Sequence, residues 1–258
     1  MEKICVVGLG QSGSKIANVI AQISGNDNVY AVNYAGINIS CLNNIDNENL
    51  ICLRNNSEYA KSPSLGLDFI NNNLAIENKI LKLINSLYKT NSDIILTTAL
   101  KSETGAALLF KMIELYSRNI LKKNHNNYIK RVGLVLVLPS KSEGYPAMNA
   151  VNDLLKNIYD HYEEQNSFFD YLILYNNQDF LEEYKSNKLD FRSYRDYANF
   201  IVAQMIQNKS YKNSSFIETL NKKSINRFKS DLVSIKDCFN YFVRHQADSN
   251  IKTQTINN

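Results

Sequence analysis

Hydrophobic residues along the chain form short uninterrupted runs that alternate with longer segments of mixed polarity. The runs predict β-strands, because about four to eight consecutive apolar residues bounded by polar residues are typical of a buried strand. In chain order they begin near residue 3 and then cover residues 29–34, 93–98, 132–138 and 170–175. Such runs favour a parallel sheet that is covered on both faces.

Helices are expected between these strands. Residues 67–88 carry an apolar stripe at helical spacing, and residues 106–121, 146–158 and 194–207 are expected to be helical as well. The alternation predicts a doubly wound α/β domain: a mainly parallel, Rossmann-like sheet with helices on both faces. Its functional loops would follow the carboxyl ends of the strands.

The end of the chain differs from the main body. Residues 208–215 are rich in Ser, Asn and Lys and predict a linker, and apolar positions between 228 and 242 predict an amphipathic, basic helix. We therefore expect a main domain over residues 1–207 and a short helical C-terminal extension over residues 208–258. A solvated face is the simpler interpretation of the basic residues, and a docking tail for nucleic acid or an acidic partner is the alternative.

Bulk properties exclude several classes of protein. The 258 residues carry a formal charge of +4 and contain no long apolar run, so we expect no membrane span. The start resembles no secretion signal, and the cytoplasm is the expected location. No metal site or disulfide framework is expected, because the cysteines and histidines are widely separated: Cys5, Cys41, Cys52, Cys238, His125, His161 and His245.

The first predicted strand leads into a turn with closely spaced glycines, Gly8, Gly10 and Gly13. Such a turn lets backbone N–H groups and the positive end of the next helix approach a phosphate. A side chain at Gly13 is expected to crowd this turn and leave folding mostly intact. A dinucleotide site would also need an acidic residue after the second strand. Asn33 stands there instead, which disfavours a nicotinamide or flavin oxidoreductase without removing that alternative.

Taken together, the strand-end loops resemble those of the tubulin, FtsZ and TubZ superfamily over about the first two hundred residues. Residues 10–16 resemble its first phosphate loop, and residues 31–33 resemble its second loop. Residues 97–107 stand where its glycine-rich signature loop lies. The remaining similarities are to its fifth loop, its sixth strand and the start of its central helix, at residues 139–144, 172–177 and 197–199.

The resemblance implies that residues 1–207 bind GTP or GDP with Mg²⁺. Glu143 would reach the ribose, and Asn177 and Asn199 would pair with the purine edge, because an amide offers both a donor and an acceptor. Turn and cap roles remain open for the two asparagines, and a first-turn role for Glu143. The implied site comprises Gly10, Gln11, Ser12, Gly13, Asn33, Ser102, Thr104, Gly105, Glu143, Asn177 and Asn199.

The chain also departs from the superfamily pattern. Ala99, Leu100, Lys101 and Glu103 stand where glycines are usual, so we expect weakened phosphate binding, with Lys101 compensating in part as a cation. The region 214–221 lacks the acidic arrangement that activates water, and no residue is assigned a catalytic role. The chain would be a GTPase only if active, and its C-terminal domain is expected to be missing or reduced.

Two functions are consistent with these observations. The first is a divergent tubulin-like protein whose guanine-nucleotide binding is weakened or lost. It would act by self-association or by binding a related tubulin-like protein, in a cytoskeletal or DNA-segregation role. The alternative is a non-catalytic adaptor, a pseudo-GTPase that binds a partner through its surface and its C-terminal helix.

Overall fold

The computed structural model describes residues 4–25, 28–35, 40–54, 63–90, 92–122, 132–140, 143–144, 151, 154–155, 157–158, 171–187 and 190–207. The strands are β1 Ile4–Leu9, β2 Val29–Ala35, β3 Leu50–Arg54, β4 Asp93–Ala99, β5 Val132–Leu138 and β6 Tyr171–Asn176. The helices with described bounds are α1 Gly10–Ser24, α2 Pro63–Asn71, α3 Leu74–Lys89, α4 Glu103–Lys122, α5 Asn177–Asn187 and α6 Tyr194–Gln207.

The strands form one sheet in the order β3-β2-β1-β4-β5-β6, and every neighbouring pair is parallel. The predicted doubly wound α/β architecture is therefore confirmed. The chain adds β2 and β3 on one side of β1 and then returns to add β4, β5 and β6 on the other. This reversal between β1 and β4 creates a crevice at the carboxyl edge, where ligands bind in open α/β sheets.

Alternate residues of each strand enter separate hydrophobic cores on the two faces of the sheet. In β1, Cys5 and Val7 belong to the core that includes α3 and α4, whereas Ile4 and Val6 belong to the core that includes α1 and α6. The strands read as continuous apolar runs because both faces are buried. The sheet therefore forms a rigid base beneath the loops at its carboxyl edge.

Three features of the fold differ from expectation. The segment 67–88 is not one helix but the end of α2 and most of α3, because the Asn73 side chain accepts a hydrogen bond from the Ile76 N–H and caps a new helix. Strand β3 and helix α5 were not predicted. Strand β3 is a five-residue segment, and α5 has few apolar residues, so neither gives a strong periodic signal.

Several expectations lie partly or wholly outside the described residues. These include the linker and tail at 208–258, the acidic-loop region 214–221 and most of the helix at 146–158, although the described positions 151, 154, 155, 157 and 158 are helical. Across the parts of the chain that are described, no helix combines the length and the apolar character needed to cross a bilayer.

Candidate functional site

A cleft of about 300 Å³ lies at the carboxyl edge of the sheet, beside the crevice between β1 and β4. Its walls come from the start of α1, the loops that follow β4 and β5, and the first turns of α5 and α6. Three cationic side chains reach it, those of Lys15, Lys101 and Arg195. The uncharged polar and acidic residues of its lining are Gln11, Ser12, Ser102, Glu143, Asn177 and Asn199.

Backbone contacts between glycines build the floor of this region. Gly10 has a φ of 67°, which glycine adopts readily, and a Cβ placed on it would lie 2.7 Å from the Cα of Gly105. A Cβ on Gly13 would lie 2.2 Å from the Thr97 carbonyl oxygen of β4. Gly13 is thus a packing position between α1 and the sheet. The expectation that a side chain there leaves folding mostly intact is wrong, because backbone atoms occupy the space.

The start of α1 faces the cleft, and within the described residues no side chain caps it from the N-cap position. Leu9 occupies the N-cap position and makes no side-chain capping hydrogen bond, and the first turn contains no acidic residue. Gln11 and Ser12 of this turn line the cleft, with Lys15 one turn further along. The first N–H groups of a helix have no partner within the helix. This end of α1 therefore suits an anionic group.

Three N–H groups in the loop between β4 and α4 and in the first turn of α4 bond to oxygens of the chain itself. The Leu100 N–H donates to the Val137 carbonyl at 3.0 Å, and the Ser102 N–H donates to the Ala99 carbonyl at 2.8 Å. Ser102 is also the N-cap of α4, since its Oγ accepts from the Gly105 N–H at 3.1 Å. These three N–H groups are therefore not directed at a ligand, unlike those of a glycine-rich phosphate loop.

Two of the cations share one carboxylate oxygen. Glu143 Oε1 lies 3.2 Å from Lys101 Nζ and 3.0 Å from Arg195 Nη2. The Glu143 side chain is only 8% exposed, and its Oε2 is buried without a hydrogen-bond partner within the described part of the chain. The Lys101 and Arg195 side chains are 45% and 63% exposed. Because water screens such cations, each ion pair contributes at most about 1 kcal/mol to stability.

Arg195 is held in place by its neighbour in the first turn of α6. Its Nε donates to the Tyr194 hydroxyl at 3.3 Å, and the guanidinium carbon lies 5.7 Å from the centre of the Tyr194 ring. The hydrogen bond with Tyr194 raises the pKa of Arg195, and the carboxylate of Glu143 adds to this, while burial acts in the opposite direction. The group therefore remains a cation.

Asn199 lies one turn after Arg195 and shares its face of α6. It is 8% exposed, and its Oδ1 accepts a hydrogen bond from the Ser12 Oγ at 3.4 Å. This contact joins α6 to the turn after β1. The adjacent Tyr197 packs edge-to-face against Phe180 and Phe191, which fixes the helix against α5 and the segment that precedes α6.

Asn177 begins α5, and its neighbour performs the capping role. The Asn176 Oδ1 accepts from the Gln178 N–H at 2.9 Å, so a side chain of β6 already satisfies the helix start. Asn177 itself lines the cleft. Its amide is thus placed where a ligand could use it, and the cap interpretation applies to Asn176.

When the chain is compared with known proteins, similarity is found to solved structures and not to protein families or curated sequences. No protein-family model and no curated protein matches the chain. TubZ of Clostridium botulinum phage c-st, with its C-terminal tail truncated, aligns with a TM-score of 0.61 at 15% identity, covering 81% of this chain and 60% of that one.

Two further solved structures give similar values. A GTPγS-bound protofilament of CetZ2 from Haloferax volcanii has a TM-score of 0.61 at 16% identity and covers 87% of this chain and 62% of its own. An empty FtsZ dimer from M. jannaschii has a TM-score of 0.59 at 15% identity, with coverage of 88% and 60%. The chain spans about three fifths of the length of these proteins. It has the tubulin/FtsZ superfamily fold.

Within this tubulin/FtsZ fold, the cleft unites only part of the site inferred from the sequence. Six residues of the inferred site line the cleft: Gln11, Ser12, Ser102, Glu143, Asn177 and Asn199. Gly10, Gly13 and Gly105 are not among its lining residues, and a Cβ on any of them would collide with neighbouring atoms of the chain. Asn33 is buried at 2% exposure near the end of β2, outside the lining, and its Oδ1 accepts from the Tyr34 N–H. Thr104 is half-buried in the first turn of α4 and is also outside the lining.

Sequence reasoning missed Lys15 and Arg195. Lys15 lies two positions after Gly13, within the segment 10–16 that resembles a phosphate loop, so a cation there was a usable signal. Arg195 gave none, because its role depends on the fold bringing the start of α6 close to the loops after β4 and β5. The side chains together suit an anionic ligand with hydrogen-bonding edges, since three cations and three amides, those of Gln11, Asn177 and Asn199, line one cleft.

Proposed function

We propose that the chain is a divergent tubulin-like protein that binds a guanine nucleotide in this cleft and acts through self-association. The observation that carries the proposal is the convergence of the start of α1, the cations Lys15, Lys101 and Arg195, and the amides Asn177 and Asn199 on one cleft. The fold alone does not carry it, because one fold hosts many functions.

The cleft combines the two kinds of chemistry that a nucleotide requires. The uncapped start of α1 offers N–H groups and a positive dipole end to phosphates. Asn177 and Asn199 each offer a donor and an acceptor to the edge of a base. Support for guanine comes from the resemblance of the loops and from the GTPγS bound in the related CetZ2 protofilament.

Self-association is proposed on the same grounds. The structurally similar CetZ2 was solved as a protofilament and the similar FtsZ as a dimer. A cytoskeletal or DNA-segregation role would follow for this chain if it assembles. We assign no hydrolysis residue, because the region that would supply one lies outside the described residues.

The direct test is a calorimetric titration of nucleotide-free protein with GTP and Mg²⁺, with ATP as the comparison ligand. The proposal requires saturable binding that favours GTP, followed by GTP-dependent sedimentation of polymer. The variant Asn199→Leu should lower affinity for GTP about tenfold, since it removes hydrogen bonds to the base. Asn72→Leu, at an exposed position between α2 and α3, is the matched control and should bind as the parent does.

Two results would contradict the proposal. Equal affinity for GTP and ATP would remove the guanine assignment while leaving a nucleotide site. No heat with either nucleotide at millimolar concentration would leave the fold as a scaffold, which is the pseudo-GTPase alternative.

A further inference from the structure

The loop after β4 must contact an anion in a different way from a glycine-rich loop. The N–H groups of Leu100, Ser102 and Gly105 are bonded to protein oxygens, so they offer nothing to a phosphate. The cation of this loop, Lys101, instead extends into the cleft. Arg195 enters from α6 on the other side and meets the same carboxylate. Two side-chain cations thus reach a site at which these three backbone donors are already used.

The carboxylate between these cations is incompletely satisfied. Both cations contact Glu143 Oε1, while Oε2 is buried without a partner in the described structure. A carboxylate bound in the strongest manner uses both oxygens in parallel hydrogen bonds. Glu143 therefore binds the two cations less completely than an anion that contacts them with two oxygens would.

We propose that Lys101 and Arg195 form a phosphate-contacting pair and that Glu143 is its internal counter-ion, which a ligand phosphate displaces. This inference rests on the proposed nucleotide function and adds how the altered loop recognises the anionic part of the ligand. Before a ligand phosphate binds, the Glu143 carboxylate offsets one of the two positive charges of the pair. When a phosphate arrives, its oxygens replace Glu143 Oε1 at the two cations.

The geometry makes displacement feasible. Lys101 and Arg195 are both substantially exposed, so solvent weakens their contacts with Glu143 and leaves the cations reachable. A phosphate carries more negative charge than a carboxylate and presents several oxygens to a guanidinium. Lys15 adds a further positive charge that Glu143 does not contact in the described structure. The cleft therefore keeps a net attraction for a polyanion even while Glu143 is in place.

The experiment compares binding of inorganic pyrophosphate, which has no ribose or base, to the full chain and to Glu143→Gln at low ionic strength. The amide has the same shape as the carboxylate and lacks its charge. We expect Glu143→Gln to bind pyrophosphate about three to ten times more tightly, from the removal of one nearby negative charge. Arg195→Gln should bind it more weakly by a similar factor.

Two comparisons separate displacement from a general change of charge. Glu48→Gln removes the same charge from an exposed position at the start of β3, at the opposite edge of the sheet, and should leave pyrophosphate affinity unchanged. In an Arg195→Gln background the gain from Glu143→Gln should shrink, because one of the two cations that Glu143 contacts is gone. Thermal unfolding of each variant confirms that it is folded before binding is measured.

Each outcome supports or overturns the counter-ion role of Glu143. Tighter pyrophosphate binding by Glu143→Gln, but not by Glu48→Gln, supports the inference. Equal or weaker binding by Glu143→Gln, in a protein whose parent binds GTP, overturns the counter-ion role and leaves the proposed function standing. Absence of both GTP and pyrophosphate binding in the parent and in Glu143→Gln overturns both.

Discussion

The turn after β1 and the loop after β4 lie side by side at the candidate site, yet they are built on different principles. The turn after β1 requires glycine, because Gly10 and Gly13 lie so close to backbone atoms of neighbouring segments that a Cβ would collide with them. The loop after β4 is instead held in place by its own side chains. Leu100 is buried in the core at 1% exposure, and Ser102 caps α4.

This difference shows which glycines the fold itself requires. Gly10, Gly13 and Gly105 remain because a Cβ at any of them would collide with backbone atoms. The positions at 99–101 and 103 hold side chains without such a collision, because their loop is anchored by Leu100 and by its own hydrogen bonds. A loop of this kind can therefore carry side chains in place of glycines while the sheet and helices beneath it keep their arrangement.

The largest expected effect concerns the glycine turn. Gly13→Ala places a Cβ about 2.2 Å from the Thr97 carbonyl oxygen, so α1 must shift relative to β4. We expect a loss of about 3 kcal/mol or more in the free energy of unfolding, measured by urea denaturation. Gly25→Ala is the control, because a Cβ there meets nothing within 4 Å and only the φ of 55° is unfavourable, which costs about 1 kcal/mol. Equal losses for the two variants would disprove the close-packing account.

The next effect concerns the anchor of the second loop. Leu100→Ala removes a buried side chain from the core and should lower the free energy of unfolding by about 2–4 kcal/mol. Leu74→Ala, at a position that is 76% exposed, should change it by less than about 0.5 kcal/mol. If Leu100→Ala were as mild as its control, the loop would not depend on side-chain anchoring.

A smaller effect is expected at Lys101, the cation of the loop after β4. Lys101→Gln should weaken pyrophosphate binding about three- to tenfold, because one of the charges facing the cleft is removed. Lys82→Gln, on the exposed face of α3, serves as the control and should bind like the parent. Unchanged affinity in Lys101→Gln would show that Lys101 does not contact the anion. The measurement is a calorimetric titration at low ionic strength.

The smallest effect concerns the cap. Ser102→Ala removes the acceptor for the Gly105 N–H and should cost about 1 kcal/mol of stability in the absence of ligand. Ser86→Ala provides the comparison, since the Ser86 hydroxyl only bonds back to the Lys82 carbonyl within α3. Its thermal midpoint should stay close to that of the parent. A stable Ser102→Ala variant would indicate that another group satisfies the start of α4.

The sequence predicts the sheet better than the site. Residues 132–138 form β5 as expected, because a strand buried on both faces must be apolar throughout, and residues 194–207 form α6. The break at Asn73 and the short strand β3 escape periodicity, since a cap and a five-residue strand are local events. Contacts such as that between Glu143 and Arg195 join residues far apart in the chain. Only the folded topology brings them together.

The meeting of Gly10 with Gly105 has a consequence for how such chains can diverge. A Cβ on Gly10 would lie 2.7 Å from both the Cα and the N of Gly105, so the backbone of Gly105 fills the space that a methyl group on Gly10 would need. A Cβ on Gly105 would instead meet the Thr98 Oγ1 at 2.1 Å and the Leu9 carbonyl oxygen at 2.9 Å. A side chain at Gly10 would therefore require a backbone shift in a segment ninety-five positions away. Among descendants of this chain, Gly10 should persist whatever becomes of the ligand.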